Sequence, residues 1–223
     1  MEGTLRSNKV WDQEYKEQEV IPSTSTLRPS SSFREYVAQH RNNLEGATLI
    51  DIGCGNGRNS LYALKNGFTR VHGFDYSKEA IKLAKRNARA AHLHENSYRF
   101  YTHDLTTGLP EQDNSFDLAI DMTTSHLLDE DQITTLFKEV YRILKPNGEF
   151  LIFTIISNKL SGKEVMDVEM GGGSAVEYFI HDYEGLAIKN SFKIVGKDFY
   201  ESQTHIGNNL FDRRYLKLLL VKG

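Results

Sequence analysis

An acid, three alternating glycines and a second acid closing the next apolar run are the residues of this chain best suited to hold a ligand. Asp51, Gly53, Gly55 and Gly57 lie in Leu49-Ile50-Asp51-Ile52-Gly53-Cys54-Gly55-Asn56-Gly57-Arg58, and Asp75 ends Val71-His72-Gly73-Phe74-Asp75. The apolar run reads as a buried strand that delivers Asp51 to a sheet edge, where the glycines let the backbone turn tightly against a ligand. Asp75 falls where a carboxylate accepts from ribose hydroxyls at the end of a second strand. A nucleoside-bearing cofactor is the reading that follows. An anionic pyrophosphate beside Asp51 would be repelled, whereas a cationic or zwitterionic tail would not, which turns the reading away from a nicotinamide dinucleotide.

The elements that must carry these residues alternate. Strands are expected at Thr48 to Ile52, Arg70 to Phe74, Tyr98 to Thr102, Phe116 to Asp121 and Glu149 to Ile156, with late strands at Lys193 to Phe199 and Tyr215 to Val221. Helices are expected near Phe33 to Asn42, Gly57 to Asn66, a Ser77-capped run through Ala90, Glu130 to Leu144 and Tyr183 to Lys189. Such alternation predicts an α/β, Rossmann-like three-layer sandwich: a seven-stranded, mostly parallel sheet whose last strand is antiparallel in a terminal hairpin. Residues 1–44 read as a helical or lid segment and 45–223 as the ligand-binding domain, with 157–181 as a substrate-side insertion and Gly171-Gly172-Gly173 as its hinge.

Composition sets bounds. The 223 residues suit one domain, and the formal charge of −3 gives no global field for nucleic acid or anionic lipid. Cys54 is the only cysteine, which excludes an intrachain disulfide or a multi-cysteine zinc site and suits a reducing compartment. No metal is expected. With no apolar leader and no run of membrane-spanning length, the expectation is a soluble cytoplasmic protein. Oligomeric state is not readable.

Five ordered segments together resemble the class I S-adenosylmethionine-dependent methyltransferases. Asp51 to Gly57 is similar to the family's first motif, Asp75 to its ribose-binding acid, and His103-Asp104-Leu105 to the segment whose acid meets the adenine amine. Phe116 to Asp121 resembles the strand 4 motif, and Arg142-Ile143-Leu144-Lys145-Pro146-Asn147-Gly148-Glu149 resembles the helix-to-strand signature before strand 5. The resemblance implies S-adenosyl-L-methionine as cofactor, held by Asp51, Gly53, Cys54, Gly55, Asn56, Asp75, Tyr76, Asp104, Leu105 and Asp121. After strand 4 the chain reads Met122-Thr123-Thr124-Ser125-His126 in place of the Asn/Asp-Pro-Pro-aromatic pattern of enzymes that methylate amino groups of adenine, cytosine or glutamine, which argues against DNA and against exocyclic-amine chemistry generally.

Methyl transfer is an in-line displacement, so the protein mainly aligns the acceptor and excludes water. If a proton must be removed, His126 is the best-placed base, with His181 and Tyr178 behind it. Trp11 and Tyr15, four apart on one helical face, would close over the cofactor or fasten their helix to the body. Gln203 to Asn209 is a second lid segment, and Arg213-Arg214 either meets a polar or anionic acceptor or caps a solvated hairpin. With little basic or aromatic clustering for a nucleic-acid platform, a small-molecule acceptor is favoured. Action on protein or RNA, a non-catalytic cofactor-binding module and a nicotinamide-dependent oxidoreductase are the alternatives.

Overall fold

In the computed structural model, residues 8–158, 165–169, 175–206 and 209–223 are described. Seven strands form the main sheet: β1 (Thr48–Ile52), β2 (Arg70–Asp75), β3 (Tyr98–Thr102), β4 (Phe116–Met122), β5 (Leu144–Asn158), β8 (Phe192–Ile206) and β9 (Asn209–Lys222). A small hairpin, β6 (Val165–Glu169) with β7 (Ala175–Phe179), stands apart from it. The order across the main sheet is β3-β2-β1-β4-β5-β9-β8. β1 to β5 are parallel, and β9 runs antiparallel between β5 and β8. The expected sheet is therefore present, with β8, not the last strand, at the edge.

Helices cover both faces. α2 (Ser31–His40), α3 (Arg58–Leu64) and α4 (Lys78–Ala90) lie on one side, and α5 (Glu130–Ile143) and α6 (Tyr183–Lys189) on the other. β1 is buried at every position, because a central parallel strand is covered on both faces. α5 begins at a capping box in which Asp129 accepts from the Gln132 N–H and Gln132 reciprocates, so two orphan donors are satisfied. Ser77 caps α4 by accepting from the Ala80 N–H at 3.1 Å. Asn147 lies early in β5, where the register with β4 shifts, at φ 63°, the left-handed geometry that asparagine tolerates.

Two features differ from expectation. α1 (Asn8–Glu17) lies over the sheet edge, whereas Phe33, Tyr36 and Val37 of α2 are buried with Leu49, Leu118 and Leu151 of the sheet. Residues 31–44 thus pack into the body, with Ser31, Ser32 and Glu35 reaching the cavity wall, while α1 and the loop after it lie over the site. The late hairpin is also much longer than its apolar segments suggest. Met122, the end of β4, pairs with Phe153, so β5 from Thr154 onward and its partners on β9 project beyond the carboxyl edge. Backbone pairing carries polar residues there, with Gln203 donating to Asp212 at 3.0 Å across the strands, and alternation of apolar side chains gave no sign of it. Gly171-Gly172-Gly173 lies outside the described residues.

Phe33 is fully buried, so Phe33→Ala should cost about 3–5 kcal/mol of global stability, measured by urea unfolding. Loss of N-terminal protection in hydrogen exchange with an unchanged global midpoint would instead make α2 part of the lid.

Candidate functional site

The site is built on one carboxylate. Asp75 ends β2, and its Oδ2 accepts from the Gly55 N–H at 2.9 Å while Oδ1 accepts from the Ser77 N–H at 2.9 Å. The glycine turn and the entry to α4 are thereby fixed to one side chain, whose unused lone pairs face a cavity of about 730 Å³. Burial pushes the Asp75 carboxyl up to about 6, opposed by those backbone donors. Gly53, at φ 63°, has no room for a side chain, since a Cβ would lie 2.2 Å from Thr124 Oγ1. At Gly55 a Cβ would lie 2.4 Å from the Tyr15 hydroxyl, so the glycine admits the covering helix. Cys54, Asn56, Tyr76, Asp104 and Leu105 also line the cavity. Burial pushes the Cys54 thiol up, against any nucleophilic role.

The cover is fastened by buried polar groups. Glu14, only 4% exposed, accepts from the Ile21 N–H at 2.8 Å, the Val20 N–H at 3.2 Å and the Thr24 hydroxyl at 2.8 Å. Asn56 Nδ2 donates to the Thr24 and Thr26 carbonyls at 3.0 and 2.9 Å, tying the same loop to the glycine turn. Asp12 accepts from the Ser77 hydroxyl at 2.6 Å and the Glu79 N–H at 3.2 Å at the start of α4. Trp11 and Tyr15 both line the cavity, so α1 is roof as well as anchor.

Three expected site residues stand elsewhere. Asp51 points into the α3 layer and accepts from the Ser60 hydroxyl at 2.6 Å, outside the cavity wall; burial pushes it up to about 7. Asp121, one register step toward the opposite face, accepts from the Thr124 and Ser125 N–H groups and supports the turn after β4; burial pushes it up to about 6. Both acids hold the loops that form the wall. His181 is likewise absent from the lining: its ring meets the Leu128 carbonyl at 2.8 Å and Glu130 at 3.5 Å, pinning the entry to α6.

Beyond the carboxyl edge the cavity becomes aromatic. Phe153 stacks on Tyr215 at 4.9 Å and meets Tyr200 edge-on at 5.9 Å. His126 lies edge-on to Tyr178 at 4.5 Å, and Arg213 Nη2 donates to the Tyr178 hydroxyl at 3.4 Å. Burial, with Arg213 and His181 adding to it, pushes His126 down to about 3. His126 Nδ1 is buried and has no hydrogen-bond partner among the described residues. Phe153, Tyr200 and Tyr215 escaped the expected site because each sits in a strand whose own pattern signals only a sheet; of the Arg213-Arg214 pair, Arg213 lines the cavity and Arg214 is exposed. Beside the glycine turn, a side pocket of about 380 Å³ shares Arg58 and Ser31 with the cavity and adds Arg28 and Arg34. Arg34 Nε there is buried and unpartnered among the described residues.

Comparison with known proteins agrees with this geometry. The methyltransferase domain family model matches residues 49–148. The chain is similar to the ribosomal protein L11 methyltransferase of Dictyoglomus turgidum, 33% identical over 116 residues that make up 52% of this chain and 35% of that protein. It is also similar to the arsenite methyltransferase of Aquipseudomonas alcaligenes, 30% identical over 193 residues, covering 77% of this chain and 52% of the relative. The chain thus spans about a third to a half of the length of these curated relatives. A SAM-dependent methyltransferase structure from Methanosarcina mazei shares the fold with a TM-score of 0.69 at 22% identity, covering 83% of this chain and 96% of that one. No helix among the described residues is long and apolar enough to cross a membrane.

The buried acids give a pH dependence. Asp51 binds its proton more tightly folded (about 7) than its ordinary value of 3.8, so its contribution to stability is greatest below about 4 and is lost as pH rises through about 7. His126, pushed down, has the opposite slope below 6.5, so the informative quantity is a difference. Asp51→Asn should lose less thermal stability than the unmodified protein between pH 5 and 8, followed by calorimetry (~1 pH unit steps). Parallel curves would mean that Asp51 is ionised throughout.

Proposed function

We propose that this chain, a member of the class I S-adenosylmethionine-dependent methyltransferases, transfers a methyl group from S-adenosylmethionine to a small-molecule acceptor. The observation that carries the reading is that one cavity joins the Asp75 clamp to a chamber lined by aromatic side chains. Its volume lies in the range that takes small ligands, and with a cofactor in place the remaining space suits a compact acceptor. A polypeptide or nucleic-acid acceptor would have to pass the roof formed by α1 and the β7 end.

The residues fit the cofactor. Asp75 would accept from the ribose hydroxyls, Asp104 and the Leu105 backbone would bound the base, and Gly53 to Asn56 would carry the tail. Arg34 and Arg58, at the side pocket, would take the tail's carboxylate, which gives the buried Arg34 Nε an acceptor. The cofactor supplies a methyl group already activated on a sulfonium. What the chain adds is alignment and dryness: Trp11 and Tyr15 exclude water from above, while Phe153 and Tyr215 offer a flat wall to the acceptor.

His126 takes a different part from the one its position suggests. A general base works best with a proton affinity near the working pH, and His126 is held neutral down to about 3. In this closed arrangement its free Nδ1 accepts a hydrogen bond from the acceptor and orients it. An acceptor that must lose a proton would release it to solvent or to a second group.

Calorimetry with S-adenosylhomocysteine tests the cofactor site. Asp75→Asn should weaken binding by roughly 10- to 100-fold, the worth of charge-assisted hydrogen bonds of ~1.5–3 kcal/mol. Affinity should also fall as pH drops through about 6, where Asp75 takes up its proton. Unchanged affinity in the variant would remove Asp75 from the ribose role. Incubation of a metabolite mixture with methyl-labelled cofactor, read by mass spectrometry, should label a small molecule; label found only in protein or RNA would overturn the acceptor class.

A further inference from the structure

Three guanidinium groups line the side pocket beside the glycine turn, and no carboxylate stands among its lining residues. Arg28 comes from the loop after α1, Arg34 from the first turn of α2 and Arg58 from the start of α3. The fold ties these segments together. Arg58 Nη1 donates to the Arg28 carbonyl at 3.1 Å, Asn56 Nδ2 to the Thr26 carbonyl at 2.9 Å, and the Ser30 N–H to Asn59 Oδ1 at 2.9 Å. Three like charges are thereby kept around one space against their mutual repulsion.

Local structure does little to offset that repulsion. A cation at the start of a helix opposes the positive end of its dipole, and α2 has no acid in its first turn and no side-chain cap from Ser30. Arg34 Nε is buried without a hydrogen-bond partner among the described residues. Of the acids, Asp51 acts on Arg58, but its Oδ2 is taken by the Ser60 hydroxyl at 2.6 Å. The cofactor's tail does not balance the group either, because its carboxylate comes with an ammonium and the pair is neutral overall. Three cations facing one pocket suit a ligand group with more than one negative charge. A phosphate monoester brings about two charges at neutral pH and three outward oxygens to meet the guanidinium forks.

Ser31, Arg58, Met122, Thr123 and Phe153 line both this pocket and the main cavity. A molecule seated on the arginines therefore has a path to the end of β4 and to the Phe153 side of the chamber. We propose that the side pocket is a phosphate site, and that the acceptor is a small phosphate monoester whose phosphoryl group it holds. Arg28 then serves the phosphate alone, while Arg34 and Arg58 are shared between it and the cofactor's carboxylate. Phe153 and Tyr215 remain the wall for the rest of the molecule. The inference rests on the transfer reading, since it takes the molecule held by the arginines as the one that receives the methyl group.

The test uses the intact protein saturated with S-adenosylhomocysteine, so that the cofactor's own carboxylate is already in place. Phenyl phosphate and inorganic phosphate are titrated by calorimetry at constant ionic strength. Phenyl phosphate should bind about tenfold or more tightly than the free ion, because its ring adds apolar contact in the chamber. Arg28 is exposed, so its replacement does not disturb the core. Arg28→Gln should weaken phenyl phosphate about tenfold with S-adenosylhomocysteine affinity unchanged, and Arg28→Lys should keep part of the affinity. Arg214→Gln, which removes an exposed charge from the hairpin, should leave phenyl phosphate binding as it was. Equal affinity for the two phosphates would mark a site for the free ion and overturn the acceptor assignment. No binding of phenyl phosphate, an unchanged affinity in Arg28→Gln, or displacement of S-adenosylhomocysteine by phenyl phosphate overturns the inference. Failure of S-adenosylhomocysteine to bind, seen before any phosphate is added, overturns the transfer reading and this inference with it.

Discussion

The arrangement depends on the Asp75 carboxylate. By accepting from Gly55 on one oxygen and Ser77 on the other, it ties together two loops that Asn87 of α4, donating to the Asn56 carbonyl at 3.0 Å, joins a second time. The Ser77 hydroxyl then donates to Asp12 while accepting from the Ala80 N–H. A single acid thus sets the glycine turn, the start of α4 and, through Ser77, the seat of α1. Its burial costs stability as an ion, yet each backbone donor lowers that cost, so the clamp holds best when every acceptor site is used. Ribose hydroxyls would occupy the lone pairs that remain.

The cover follows from the same logic of satisfied polar groups. A buried glutamate such as Glu14 is tolerated only when its oxygens are occupied, and here the donors come from the very loop that must be held down. Asn56 extends the hold to the glycine turn. The cover also packs Val10, Trp11, Val20 and Ile21 against Ile155, Tyr178 and Tyr215, a cluster separate from the two that fill the faces of the sheet. That separation is what a site needs if cofactor and product must leave without global unfolding.

Much of this was legible in the sequence, and the failures share a cause. Strand alternation, the capping serine at Ser77, the helices ending at Ala90 and Lys189 and the left-handed Asn147 are local signals, and the structure agrees with each. Asp51, Asp75 and Asp121 look equivalent in sequence, each near the end of an apolar run. Pairing separates them: Asp51 aligns with Gly73 and faces α3, Asp121 aligns with Ile52 and faces the other layer, and Asp75 closes β2 at the cavity. Which way a strand-end side chain turns is set by register across the sheet, which no single segment encodes. His181 left its expected wall for a similar reason, its ring being turned to the Leu128 carbonyl, while Arg213 lines the cavity, as one of its two readings allowed.

The chamber also shows why net charge says little about ligand choice. An overall charge of −3 conceals a cavity with acids at the nucleoside end and arginines on two other walls. A ligand with hydroxyls at one end, a positive centre and a carboxylate would find complementary groups along its length, in one orientation only. On the transfer reading, an acceptor would meet Trp11 and the stacked Phe153 and Tyr215, which lie at the other end of the cavity from the clamp. In an enclosed, weakly screened space, such fixed charges order two ligands against each other before any contact is optimised. On the proposed transfer reading, selectivity would be a property of where the β8–β9 hairpin carries its side chains, while cofactor binding would belong to the parallel strands that precede it.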